Sequence, residues 1–168
     1  MAVLNVLIDH GPEQVWDVLS DGTSYAEWVA GTRSVRDVDA RWPEPGASIH
    51  FSFGAGPLTI EDQTTVRLME PLRRLELEAH ARRLGSARIA IELVPWGEDR
   101  TVVIIDEHPL TGPSARWHSV PLDAALRVRN RRMMRSLAEV VDRRHGAGAA
   151  RPDSASPGPA GLGRSARA

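Results

Sequence analysis

Arg129 and Asn130 sit where polar side chains are expensive. Around them Leu122, Leu126, Met133, Leu137, Val140 and Val141 recur at helical spacing and form one apolar stripe. On a helical wheel Arg129 falls within that stripe, and Asn130 borders it. An unpaired guanidinium is costly to bury. Arg129 therefore needs a partner (Asp62, Asp106, Glu107 or a carboxylate on a ligand), or it must reach solvent by laying its stem along the apolar surface. The guanidinium fork suits bidentate recognition of an anion, and the Asn130 amide adds a second polar contact. Leu126 and Met133, on the same stripe, would line any space that Arg129 faces.

Strand-like segments carry the other candidates. If Leu58, Ile60, Val66 and Leu68 face inward, period-two alternation turns Asp62 and Thr64 inward as well. If Val102 and Ile104 face inward, Asp106 and His108 follow them. A bulge would reverse either assignment, leaving Asp62 at a strand bend in contact with water. Ile91 lies in an alternating run with Ala87, Ile89 and Leu93. Trp117 stands in the long connection 109–120, either as part of a lid or as a plug in the core. The same two roles are open for Trp28 and Trp42, whereas Trp16 lies on an amphipathic helix and belongs to the core.

Several chemistries have no support in the sequence. The six histidines, at 10, 50, 80, 108, 118 and 145, form no close pair and no HExxH, so no metal site is expected. Gly-x-Ser-x-Gly, a phosphate-binding loop and a dinucleotide fingerprint are absent, and no cofactor is expected. Gly54-Ala55-Gly56 reads as a hairpin turn. The chain has no cysteine for thiolate or disulfide chemistry. All 21 basic residues are Arg, so no lysine can form a Schiff base. Arg127, Arg131 and Arg135 fall opposite the apolar stripe. That row reads as a solvated face, because no aromatics interleave with it and the net charge is −1, so no nucleic-acid partner is expected. The opening residues Met1–Asp9 lack a basic segment and do not resemble a secretory leader. No run is long enough to span a membrane. A cytoplasmic location is expected, with the chain a monomer or homodimer.

The elements that must position these residues follow from periodicity and turns. Residues 2–8 read as a strand. Pro12 opens a helix bearing Val15, Trp16, Val18 and Leu19, and Asp21-Gly22 ends it. Ser24-x-x-Glu27 resembles a capping box for a second short helix, stopped by Gly31. Strands are expected over 33–40, 47–53, 58–69, about 75–80, 86–94 and 100–108, separated by Gly- and Pro-containing turns. A long helix runs from Pro121 to about Arg144. Consecutive strands joined by tight turns imply an antiparallel meander, and the long helix is the one element large enough to cover it. From residue 146 the composition turns to Gly, Ala, Pro, Ser and Arg, and 146–168 is expected to be a disordered tail after a domain of residues 1–145.

Particular residues carry a family resemblance. Pro12-Glu13-Gln14-Val15-Trp16-Asp17-Val18-Leu19-Ser20-Asp21, with Tyr25 and Trp28, is similar to the opening helix of the START-related SRPBCC superfamily, the polyketide cyclase/dehydrase and lipid-transport group. Trp42-Pro43-x-x-Gly46 resembles its second hairpin, and Glu70-Pro71-x-x-x-Leu75 its central turn. Asp106-Glu107-His108-Pro109-Leu110-Thr111-Gly112-Pro113, followed by Arg129-Asn130 and Leu137-Ala138, looks like a smaller bacterial subgroup. The resemblance covers roughly residues 1–144. It implies an α+β helix-grip fold, in which a curved antiparallel sheet of about seven strands wraps the C-terminal helix. It also implies an internal cavity for an apolar small molecule such as a lipid, a quinone or a polyketide-like compound. Asp62, Thr64, Ile91, Ile104, Asp106, His108, Trp117, Leu126, Arg129, Asn130 and Met133 are then the expected ligand contacts. The alternative is an aromatase/cyclase-type enzyme, with His108, Asp62 or Glu107 moving protons. No complete catalytic constellation is visible in the sequence, so activity has to be argued from the site.

Overall fold

A computed structural model of the chain describes residues 2–55, 58–81, 85–111 and 120–146. Strand β1 (Ala2–Ile8) leads into helix α1 (Pro12–Ser20). Pro12 takes a first-turn position, where its missing N–H costs nothing. Val15, Val18 and Leu19 are buried. Asp21 ends this helix and caps the next turn. Its carboxylate accepts from the Thr23 amide at 3.0 Å and from the Thr23 hydroxyl at 2.6 Å. Helix α2 (Tyr25–Trp28) follows directly. Ser24 does not cap it as the Ser24-x-x-Glu27 pattern suggests. Its hydroxyl instead donates to the carbonyls of Val18, at 3.0 Å, and Asp21, at 2.8 Å, tying α2 back onto α1. Gly31 closes α2 at φ +95°, with the Phe53 ring against it where any side chain would stand.

Six strands come next: β2 (Thr32–Val38), β3 (Ser48–Ala55), β4 (Leu58–Glu70), β5 (Arg74–Ala81), β6 (Gly85–Pro95) and β7 (Thr101–Pro109). Each pairs antiparallel with the next, and β1 pairs with β7, giving the order β1-β7-β6-β5-β4-β3-β2. Helix α3 (Val120–His145) is 26 residues long and lies against one face of the curved sheet. This is the helix-grip architecture.

The core forms between that face and the three helices. Met133, Met134, Leu137, Val140 and Val141 of α3 are buried, together with Leu75 and Leu77 of β5, Ile89, Ile91 and Leu93 of β6, and Val103 and Ile105 of β7. Arg127, Arg131 and Arg135 are exposed on the other side of the helix. The far end of α3 is pinned by ions: Arg143 donates to Glu27 at 2.7 Å, Arg144 to Asp21 at 2.7 Å, and His10 pairs with Asp142 at 2.9 Å. Burial works against the Asp21 carboxylate, but hydrogen bonds from Thr23 and Arg144 outweigh it and hold its pKa below the ordinary value. No helix among the described residues is long and apolar enough to cross a membrane. The tail expected from residue 146 lies, from 147 onward, outside the described residues.

Candidate functional site

Polar side chains from four elements meet inside the apolar core. On β7, Thr101, Val103, Ile105 and Glu107 are the buried positions, so the Glu107 carboxyl points toward α3 and is only 8% exposed. Asn130 of α3 is fully buried and donates from Nδ2 to Glu107 Oε2 at 2.8 Å. Arg129, beside it, donates from Nη1 to both Glu107 oxygens, at 3.2 and 3.4 Å. Its Nε reaches the carbonyl of Ala30, just after α2, at 3.5 Å. The Arg129 side chain stays 30% exposed, so the pair spans from core to rim. Arg129 therefore has the carboxylate partner it needs, and that partner is Glu107.

Tyr25 of α2 continues the cluster. Its hydroxyl shares a 2.9 Å hydrogen bond with the Thr64 hydroxyl of β4, both groups being buried. Its ring packs edge-on to Trp28 at 5.5 Å and tilted against Phe51 at 5.2 Å. Burial pushes the Tyr25 phenol up to about 12. The Thr64 hydrogen bond and the Arg129 charge act against that, and the nearby Asp62 and Glu107 carboxylates reinforce it. Of these groups Thr64 touches the phenol, and Arg129, Asp62 and Glu107 act on it through their charge. Two buried polar atoms nearby have no hydrogen-bond partner among the described residues: Asn130 Oδ1 and Trp28 Nε1.

The expected contacts divide by strand parity. Thr64 is fully buried on the inner face, Asp62 shares that face half-buried, and Ile91 and Met133 are core residues. A bulge does occur in β4, but beyond them, between Val66 and Leu68. It turns Leu68 outward opposite Glu76 and brings Met69 onto the core opposite Leu75. Strand β7 has the opposite facing from the one expected. Val103 and Ile105 point inward, so Ile104, Asp106 and His108 lie on the outer face of the sheet. There His108 Nε2 and Asp106 Oδ2 are 2.8 Å apart, on the same face as Arg88 and Glu92 of β6. These three residues are not in the interior space, and His108 cannot move protons there. Trp117 and the side chain of Leu126 lie outside the described residues.

Glu107, Tyr25 and Trp28 were not among the expected contacts. The signal for Glu107 was masked by Val102-Val103-Ile104-Ile105, an unbroken apolar run that fits either face. Two open recesses, of about 480 and 220 Å³, lie along the sheet, the smaller on its outer face and the larger reaching Phe51 and Asp62 as well. The larger is bordered by His50, Gln63 and His80, the smaller by Val3, Arg88 and Asp106. Among the described residues no three His, Asp or Glu side chains gather as a metal ion requires.

Residues 9–142 match the family described as Activator of Hsp90 ATPase homolog 1-like protein. The chain belongs to this family. The match spans α1 through most of α3, and so contains every residue of the interior cluster. No curated protein matches the chain. Among solved structures, the chain is similar to the Zhui aromatase/cyclase from Streptomyces sp. R1128, with 15% identity and a TM-score of 0.66 over 88% of this chain and 96% of that one. A START superfamily protein from Mycobacterium smegmatis gives 13% identity and a TM-score of 0.65, over 84% and 97%. Protein CV1439 from Chromobacterium violaceum gives 18% and 0.64, over 84% and 96%. At these identities the likeness establishes the START-like fold, and the site has to speak for the function.

Proposed function

We propose that the protein binds an apolar small molecule between sheet and α3, with the Glu107–Asn130–Arg129 cluster at the molecule's polar end. The observation that carries this reading is the state of Asn130. It is fully buried, spends its amide N–H on Glu107, and leaves Oδ1 without a partner. A core built only for stability would fill that place with an apolar side chain, since a buried polar atom left unpaired costs about 1–3 kcal/mol. Apolar pockets with a few convergent polar groups are the usual form of small-molecule sites. The aromatase/cyclase that shares the fold lends a precedent for a small molecule by its name alone.

A cyclase-type reaction is the second reading, and the buried Glu107 near the Tyr25 phenol favours it. Glu107 is nevertheless fastened by Asn130 and by Arg129, an arrangement that suits holding a ligand better than releasing protons. Native mass spectrometry of protein purified from its own host, with Nile red titration of the native state, tests the binding reading. A co-purified apolar molecule and saturable dye binding are expected. A protein that carries nothing and binds no apolar probe overturns the proposal.

A further inference from the structure

Resting on that binding reading, we infer that the ligand's buried polar end is a neutral hydroxyl and not a carboxylate. Asn130 decides the polarity. A carboxylate only accepts hydrogen bonds, so the atom 2.8 Å from Glu107 Oε2 has to be the amide nitrogen, which fixes the amide orientation. The atom left over is Oδ1, an acceptor, and it repels the oxygen of a ligand carboxylate. Trp28 Nε1–H, on the helix that packs against α3, is an unfilled donor. A hydroxyl both donates and accepts, so it can use either of these two atoms, whereas a carboxylate can use only the indole of the two.

Charge leads to the same choice. Arg129 is the cation that would read an anionic ligand, yet both Glu107 oxygens already take its Nη1. The pair is neutral overall. A second carboxylate would have to enter beside the Glu107 carboxylate, which repels it, and share an Arg129 that Glu107 already engages. Both unfilled atoms are closed to solvent in the structure, so the packing around them has to open before a ligand can reach them. Closing over unpaired polar atoms makes that packing less favourable than an apolar seam, and a hydroxyl that pairs with them lowers the cost of opening.

The test uses three probes on one skeleton at pH 7.5: naphthalene, 2-naphthol, which is neutral there, and 2-naphthoate, which is charged. Each is measured by displacement of Nile red from the whole protein. We expect 2-naphthol to bind about five- to tenfold more tightly than naphthalene, as one good neutral hydrogen bond gives, and 2-naphthoate to bind more weakly than naphthalene. Naphthoate as the tightest probe would overturn the inference and leave the binding reading standing. Equal affinity of naphthol and naphthalene would do the same. Failure of all three probes and of Nile red would remove both. In Asn130→Leu, with folding checked by the thermal midpoint, the naphthol-to-naphthalene ratio should fall toward one. If that variant does not fold, the wild-type series decides alone.

Discussion

Asp106 and Glu107 are neighbours in one strand, and their surroundings have almost nothing in common. Asp106 points out of the sheet, 30% exposed by side chain, with His108 at 2.8 Å and Arg88 and Glu92 on the same face. Glu107 points into the core, where Asn130 and Arg129 supply its hydrogen bonds. The outer pair can exchange its partners for water at little cost. The inner carboxylate cannot, because little water reaches it and Asn130 and Arg129 are the partners it has. One step along a strand thus separates a partly exposed hydrogen-bonded pair from an interior ion pair, and only the interior one faces α3.

The contrast breaks most sharply by adding a charge to the core side. Met133→Asp should unfold the protein, a loss above about 4 kcal/mol, because its carboxylate would face Leu and Val side chains with no partner. Arg131→Asp, two residues back on the exposed face, should stay within about 0.5 kcal/mol in a urea titration. If the outer change were the worse one, the helix would be facing the other way.

Removing the inner cation comes next. Arg129→Met should lower stability by about 1–3 kcal/mol. That is less than the loss for a fully buried pair, because the side chain is 30% exposed and Asn130 still holds Glu107. Chemical denaturation of Arg129→Met, Glu107→Gln and the double variant would give the coupling energy directly. A coupling near zero would mean that the pair is as loose as a surface bridge.

Tyr25 offers a spectroscopic version of the same comparison. It is the one tyrosine in a chain without lysine or cysteine, so the absorbance change of tyrosinate reports this phenol alone. Its pKa should stand near 12 in the folded protein, against an ordinary value of 10.0. Because the folded value is raised, the folded state holds its proton longer than the unfolded state. The stability this contributes is complete below pH 10, falls as pH rises, and is lost through about pH 12. A folded protein titrating at 10 would place the phenol in water and undo the cluster around it.

The smallest effect is expected outside. His108→Ala removes the partner of Asp106, but both side chains are about a third exposed, and stability should change by less than about 1 kcal/mol. Binding of an apolar probe should not change at all. A loss of probe affinity in His108→Ala would return the outer face to consideration as the site.

Much of this molecule was legible before any coordinates. Turn residues and alternation give seven strands, Pro12 and the Asp21-Gly22 stop give α1, and the Leu, Met and Val spacing gives α3, because each signal is local and set by backbone chemistry or one-sided burial. The same spacing put Arg129 and Asn130 against the sheet and Arg127, Arg131 and Arg135 away from it. The facing of β7 was not legible, since Val102-Val103-Ile104-Ile105 is apolar on both sides. Pairing of β7 with β1 and β6 settled it, placing Ile105 between Leu4 and Ile91 and so sending Glu107 inward. The bulge in β4 and the approach of Tyr25 to Thr64, 39 residues apart, also depend on how the sheet curves around α3. Sequence determined which elements form and which helix face is buried. Tertiary packing alone decided which carboxylate Arg129 would meet, because that depends on the parity of a strand whose own residues favour neither face.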